Sequence, residues 1–574
     1  MATVVEAHVD TQIDPITTEI IRSAFTAAAD EMNATLIRSA YTPVIYEMKD
    51  CSVALLDSEH HVLGQSAGLP IFLGNLEICT RLTEEMYGRD IWQPGDIWIM
   101  NDSYLTGTHL NDMTVFGPIF YDGELAGFAA SRAHWLDVGA KDPGGPMDST
   151  SIYQEGIRLG PTKVVAGGIQ RPDVTDLLGR NSRFSYPAIG DLGAQIACAR
   201  TGQDRLAAII DRYGAGTIAS AKEAIFAQTE RFERAAVAAI PDGIYRAQGC
   251  LDNDGNSEEP CWVRLTVEIR DDEMTIDLSE TDDARGGPVN CGEAQAISAC
   301  RVAYKLLINP HNPPNGGGFR PLTVKVRAGS MLGAREPFPC QWYFSQLGLL
   351  IDLVVKALAD VMPEQAAAAS YGDSMVISLS GIDHRTGQSW LDLEPTVGGW
   401  GAWDGSDGES GLINNVNGSL KDLTIEVLET KYPMRMTHYG YRTDSGGPGK
   451  WRGGNGIIRE YTLDGEEAVL FLWFERSKTP GWGLFGGKEA TPPVVVLNPG
   501  REDERRMLKC SRVALKRGDV VRTMTGGGGG FGDPAERDPE AVREDVRNRH
   551  VSPQAAREVY GVDVRRKSGV GSRT

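Results

Sequence analysis

Long apolar runs are missing from this chain of 574 residues. No stretch approaches the roughly 18 consecutive apolar residues that a membrane-crossing helix needs, so no membrane span is expected. A basic balance is missing too. Lys and Arg number 57 against 78 Asp and Glu, a net charge of −21, and no basic face stands out. Nucleic acid is therefore not an expected partner. The opening MATVVEAHVDTQID has neither a basic flank nor an apolar core, which argues against a signal peptide. The nine cysteines are odd in number, scattered, and free of any C-x-x-C pair. That excludes a disulfide frame or a zinc knuckle and fits reduced thiols in a cytoplasm.

What is present is an ordinary globular composition, 41% apolar, with 67 glycines against a usual share of about 7%. At this length two to four domains are expected. Asp14-Pro15 reads as an N-cap and first helical residue, followed by Ile16, Ile20, Ala24, Ala27 and Ala28 at helical spacing. CSVALLD and HHVLGQS read as a hairpin. Helices are expected over 191–213 and about 217–239, the second ending before Pro241-Asp242-Gly243. From 243 the pattern turns to strands, interrupted by two apolar helices over 292–308 and 344–362. The fold class is α+β, multi-domain and β-rich with long buried helices. Residues 1–240 form an N-terminal α/β domain, 241–535 a Gly-rich, mostly β domain, and 536–574 a short helical tail. The glycine sets at 398–411 and 446–456 read as tight turns, because Gly supplies φ > 0 without strain.

The chemistry concentrates in NDSYLTGTHLNDMTVFGPIFYDGELAGFAASRAHWLDVGA, residues 101–140. Two apolar strands flank Asp122-Gly123, the strongest short hairpin signal. A two-residue turn there sets Tyr121 opposite Glu124 and, counting back in register, Asn111 opposite His134. Opposed residues lie about 4.5–5.5 Å apart, so the hairpin brings His134 beside Asp112 and within reach of His109. Two imidazoles and a hard carboxylate are a metal-ligand set. The plainer alternative is a set of satisfied polar side chains. Strict alternation puts His109 and Asp112 on opposite faces unless the ladder ends at Leu110-Asn111.

Other motifs fail on context. Gly64-Gln65-Ser66-Ala67-Gly68 matches a nucleophile elbow, but Leu69-Pro70-Ile71 delays the helix that must follow. Gly527, Gly529 and Gly532 match G-x-G-x-x-G without a βαβ unit after them. GWGLFGGKEA has Glu489 where a phosphate-binding loop needs Ser or Thr. His60, His61, His311, His384, His438 and His550 read as structural or surface residues.

Several longer blocks carry a resemblance. IDPITTEIIRSAF, EMKDCSVALLD, GDIWIMNDSYLTGTHLNDMTVFGPIF, SRAHWLDVGAKDPGG, GDLGAQIACAR, YPMRMTHYGYRTDSGGPGKWRGGNG and GGGGGFGDPAERDPEAVREDV, in this order, resemble the B subunit of the hydantoinase, 5-oxoprolinase and acetone carboxylase family. The resemblance implies a partner A subunit that binds ATP and phosphorylates an amide, ketone or enol oxygen, in an A2B2-type assembly. It implies one divalent metal in this chain, zinc, manganese or iron, held by Asp50, His109, Asp112 and His134. Glu47 or Asp137 is then the candidate base that takes a proton from water. Carboxylase B subunits of the family tend to be longer, which favours ATP-dependent opening of a hydantoin, lactam or 5-oxoproline ring. The alternatives are a ketone carboxylase subunit and a scaffold with a structural metal. Pocket walls are expected from loops such as 141–160 and 311–319.

Overall fold

A computed structural model describes residues 13–564. The expectation for residues 1–12, and the last part of the tail, lie outside the described residues. The first helix, Pro15–Ser39, starts where Asp14 Oδ1 accepts from the backbone N–H groups of Ile16 and Thr17, at 3.0 and 3.1 Å. Ile21, Phe25, Ala28, Met32 and Leu36 form its buried stripe. It packs on the helices Ser185–Tyr213 and Ala215–Ala238. The helix is where the sequence puts it, but the packing face is not: of Ile16, Ile20, Ala24, Ala27 and Ala28 only Ala28 is buried, and Ile16 and Ile20 face outward.

These helices cover one face of a seven-stranded antiparallel sheet. Its strands are β1 (Cys51–Asp57), β2 (Val62–Gln65), β3 (Ile97–Met100), β4 (Asp112–Tyr121), β5 (Glu124–His134), β6 (Thr162–Ala166) and β7 (Ile169–Gln170), in the order β2-β1-β5-β4-β3-β6-β7. All of β1 is buried. Val53 and Leu55 point into the core under the helices, while Ala54 and Leu56 join Trp92, Trp98, Phe116 and Phe128 on the other face. Period-two alternation thus serves two cores at once.

A second sheet is β8 (Gly243–Leu251), β9 (Cys261–Arg270), β10 (Glu273–Asp277) and β11 (Leu322–Lys325), with β11 parallel to β10. The helices Glu293–Ile308 and Phe344–Leu358 pack together, and the latter lies against β8 and β9. Two further sheets follow. One joins β12 (Val376–Ile382), β13 (Ser389–Glu394), β16 (Glu467–Trp473) and β19 (Lys509–Lys516). The other joins β14 (Met434–Tyr441), β15 (Ile457–Leu463), β17 (Val494–Leu497), β18 (Arg505–Arg506) and β20 (Val520–Met524). The chain is α+β with several sheets. The largest apolar core takes in residues from both sides of position 240, such as Val44, Leu69 and Phe72 with Val263 and Leu350. The short tail helices Pro539–Arg547 and Pro553–Glu558 close on a small core of Val542, Val551 and Ala556.

The glycine sets are not mainly turns, which corrects the expectation. Within 398–411 and 446–456 only Gly405 and Gly411 have positive φ. The other glycines let irregular segments lie backbone against backbone. Gly399 N–H donates to Gly526 O (3.1 Å), Gly447 N–H to Gly528 O (2.8 Å), and Gly528 N–H to Gly454 O (2.9 Å). A Cβ on Gly454 would meet Glu409 O at 1.8 Å, and one on Gly453 would meet Gly528 O at 1.9 Å. Distances that short admit no side chain at all.

Candidate metal centre

The hairpin turns as its sequence demands. Asp122 (φ 50°) and Gly123 (φ 85°) form the two-residue loop, and Tyr121 faces Glu124. The register does not then run straight. Phe120 pairs with Leu125 but Ile119 with Gly127, so Ala126 is an extra residue in β5. This bulge moves the pairing by one. Asp112, not Asn111, stands opposite His134. Their side chains therefore share a face with Arg132 and Thr114, away from the first helix.

The ladder ends at Asp112, and His109 enters from the turn before it. Asn111 holds that turn: its Nδ2 donates to Trp135 O (2.9 Å) and its carbonyl accepts from Trp135 N (2.8 Å). The alternation rule thus lapses before it could put His109 on the wrong face. Asp50 precedes β1, which pairs with β5, and its carbonyl accepts from His134 N (3.1 Å). One end of three adjacent strands, β1, β5 and β4, gathers all four predicted ligands.

His109 Nε2 lies 2.9 Å from Asp112 Oδ1 and 3.1 Å from His134 Nδ1, and His134 Nδ1 lies 3.3 Å from Asp112 Oδ1. These three donor atoms form the one His/Cys/Asp/Glu group among the described residues with metal-ligating spacing. His109 Nδ1–H donates to Gln341 O (3.0 Å), which turns Nε2 toward the cluster. Tyr343 OH donates to Asp112 Oδ2 (2.9 Å), leaving Oδ1 for the histidines. Asp50 Oδ1 and His134 Nε2 are buried atoms without a hydrogen-bond partner. Unpaired buried polar atoms are costly, so two imidazoles and two carboxyls with Asp50 Oδ1 left over fit a divalent ion, although an ion held at His134 Nδ1 does not reach Nε2 of the same ring.

Charge and burial compete here. Burial opposes protonation of His109, but the Asp112 carboxylate overcomes it and raises the imidazole above its usual value. Burial lowers His134. Burial works to raise Asp112, yet His109 and His134 hold it well below the carboxylate range. Burial, then the Asp112 charge, pushes Asp50 up to about 8.

The remaining walls are Val44, Met48, Leu69 and Phe72 on the N-terminal side and, from far along the chain, Trp342, Tyr343 and Phe344 with Ser374, Leu393 and Asn417. The cleft leaves about 40 Å³, room for little more than a water or two. Neither 141–160 nor 311–319 lines it. The first loop acts from behind: the Glu155 carboxylate accepts from Cys340 N and Gln341 N (2.9 and 3.0 Å) and so places the carbonyl that orients His109. The second lines a separate pocket.

The two base candidates are not brought to the cleft. Asp137 is buried in an ion pair with Arg183 (2.7 Å) and also accepts from Arg183 N. Glu47 caps the short helix Pro43–Tyr46 and is not a lining residue. Ser66 Oγ accepts from Asn33 Nδ2 (3.2 Å) with no histidine bonded to it among the described residues, which removes the hydrolase elbow. Sequence reasoning missed Tyr343, Gln341 and Glu155. The one available signal was the aromatic run Trp342-Tyr343-Phe344, hidden at the start of an apolar helix.

A buried His-x-x-Asp and His cluster at one end of an antiparallel sheet defines the class of site. The chain belongs to the hydantoinase B/oxoprolinase family, whose model matches residues 14–534. It is 31% identical to the caprolactamase subunit beta of Pseudomonas jessenii, over 96% of each chain. The crystal structure of the ATP-dependent caprolactamase from that organism superposes with a TM-score of 0.89, covering 96% of this chain and 97% of that one. The 5-oxoprolinase 1 of Arabidopsis thaliana is 27% identical over 90% of this chain, which spans 42% of that longer protein. A nucleotide-free acetone carboxylase structure, 20% identical with a TM-score of 0.85, shares the fold.

Proposed function

We propose that this chain is the metal-holding B subunit of an ATP-dependent cyclic-amide hydrolase. The observation that carries it is the convergence of His109, Asp112 and His134 beside the unpartnered Asp50 carboxyl, in a chain similar end to end to a caprolactamase beta subunit. His109, Asp112, His134 and Asp50 would hold one divalent ion, and zinc, manganese or iron each suit that donor set. The ion would supply Lewis acidity. Gln341 O and Tyr343 OH orient His109 and Asp112 before substrate arrives. Phe72, Trp342 and Phe344 exclude bulk water.

An A-type partner would bind ATP and activate the ring. Support comes from the caprolactamase name, a "subunit beta", and from the longer 5-oxoprolinase, of which this chain spans 42%, leaving length for an A-type half in the same chain. The 40 Å³ cleft holds no ring as it stands, so Phe72, Phe344 or Leu393 must move for substrate to enter. The test is co-expression with an A-type subunit and an ATP-dependent screen of hydantoins, lactams and 5-oxoproline. Ring-opened product should form only with both chains and ATP. Turnover by this chain alone, or labelled bicarbonate entering product, would overturn the reading.

A further inference from the structure

Behind the metal cleft lies a larger cavity of about 310 Å³, at the lower end of ordinary ligand pockets. The two share no lining residue. Their common wall is the turn 69–74 with the loop 414–418. Leu69 and Phe72 face the cleft, whereas Pro70, Leu73 and Gly74 face the cavity. Asn417 faces one side, Asn415 and Gly418 the other. The wall is fixed: Ile71 N–H donates to Val416 O (3.2 Å), Ser298 Oγ to Ile71 O (2.7 Å), and Gln65 Nε2 to Leu73 O (2.8 Å). This is a separate chamber, not a vestibule.

Its lining is mostly apolar, with Leu73, Val302, Leu306, Phe319 and Trp400 around it. Arg301, Lys305 and the Glu77 carboxylate reach it, with the imidazoles of His60 and His61. Arg301 is already engaged by Glu77 and by Gly74 O. Lys305 donates to Asn312 O and makes no ion pair among the described residues; the Glu233 carboxylate, held by Asn309 Nδ2 and Phe319 N, acts on it only from beyond ion-pair distance. In a chain of net charge −21 an ammonium with no ion-pair partner on an apolar cavity is out of keeping with its surroundings.

We propose that this cavity is a second small-molecule site, for an organic carboxylate with an apolar body, whose anionic end pairs with Lys305 Nζ. Burial alone already costs Lys305, pushing its ammonium down to about 8, and a bound carboxylate removes that cost. The apolar walls take the body and the Arg301–Glu77 pair closes the polar rim. The site is independent of the chemistry across the wall.

The test is titration of the full chain with hexanoate and with benzoate, read by calorimetry and saturation-transfer NMR. Both should bind at one equivalent, while hexylammonium and inorganic phosphate should not. Lys305→Met should weaken hexanoate at least tenfold. Leu306 is 42% exposed, so Leu306→Trp fills the mouth without disturbing the core, and it should block binding. His109→Ala, across the wall, should leave it unchanged. No saturable binding up to about 10 mM, equal binding of phosphate, or affinity unaffected by Lys305→Met and Leu306→Trp would overturn the proposal. So would loss of binding in His109→Ala.

Discussion

Asp112 stands directly opposite His134 in the β4–β5 ladder, and Asp112 Oδ1 lies 3.3 Å from His134 Nδ1. One carboxyl oxygen thereby serves two imidazoles, since His109 Nε2 reaches it at 2.9 Å. Removing the shared oxygen should cost more than removing either ring. Asp112→Ala and His109→Ala are expected to purify without bound metal, with Asp112→Ala the more depleted after dialysis. Elemental analysis beside a circular-dichroism check of folding decides it. Full metal occupancy in a folded Asp112→Ala protein would end the ligand assignment.

Tyr343 acts on the same carboxylate from outside. Its hydroxyl holds Asp112 Oδ2 at 2.9 Å, and its ring meets His109 edge-on at 5.1 Å. Tyr343→Phe keeps the ring and loses the hydrogen bond. Groups that orient metal ligands typically contribute 10–100-fold in affinity or activity, so metal binding should weaken by about that factor with little change in melting. Competition with a chelator measures it. Unchanged affinity would reduce Tyr343 to packing.

Asp50 gives the metal-free fold a pH dependence of known sign. Its folded value of about 8 lies above the ordinary 3.8, raised by burial and then by Asp112. The protonated carboxyl therefore stabilises the fold fully below about pH 4, and that contribution is lost as pH rises through 8. Asn imitates the protonated form. Metal-free Asp50→Asn should melt above the parent near about pH 9, with the gap narrowing steadily toward acid and closing only below about pH 4. Saturating divalent metal should reverse the order, because only the carboxylate gains a cation. Identical melting curves at the higher pH would contradict the account.

The Asp122-Gly123 turn was readable because two successive positive φ angles leave few residue choices. The long helices were readable as helices, and Asp14-Pro15 marked the first start to the residue, but the spacing Ile16, Ile20, Ala24, Ala27 chose its outer face, because alanines and isoleucines recur on both sides of it. The bulge at Ala126 was not readable. Nothing in Leu125-Ala126-Gly127 distinguishes an extra ladder residue from a regular one, so the register was one residue out. Gln341 and Tyr343 lay beyond sequence reasoning for a different reason. They touch His109 and Asp112 across more than 230 positions, a contact that only the packed fold creates. The glycines were counted correctly and explained wrongly, because composition cannot separate a backbone that must turn from one that must be approached.

That distinction can be measured. Gly528 has no positive φ, yet a Cβ there would stand 1.9 Å from Trp400 O and 2.0 Å from its carbonyl carbon. Both obstacles are backbone, and Trp400 O is already held by Gly454 N–H (2.8 Å). No rotamer can relieve the clash, so the segment itself must shift. Gly528→Ala should cost at least about 4 kcal/mol and show as low soluble yield and a strongly depressed Tm. Gly193 supplies the contrast. It lies within the helix Ser185–Tyr213, exposed, with nothing within 4 Å of its Cβ position. There the same substitution should stabilise by roughly 0.5–1 kcal/mol, because Ala loses less backbone entropy than Gly in a helix. Opposite signs for one chemical change place the effect in backbone contact. Should Gly528→Ala melt within a degree or so of the parent, the close packing of these segments is not what the glycines are for.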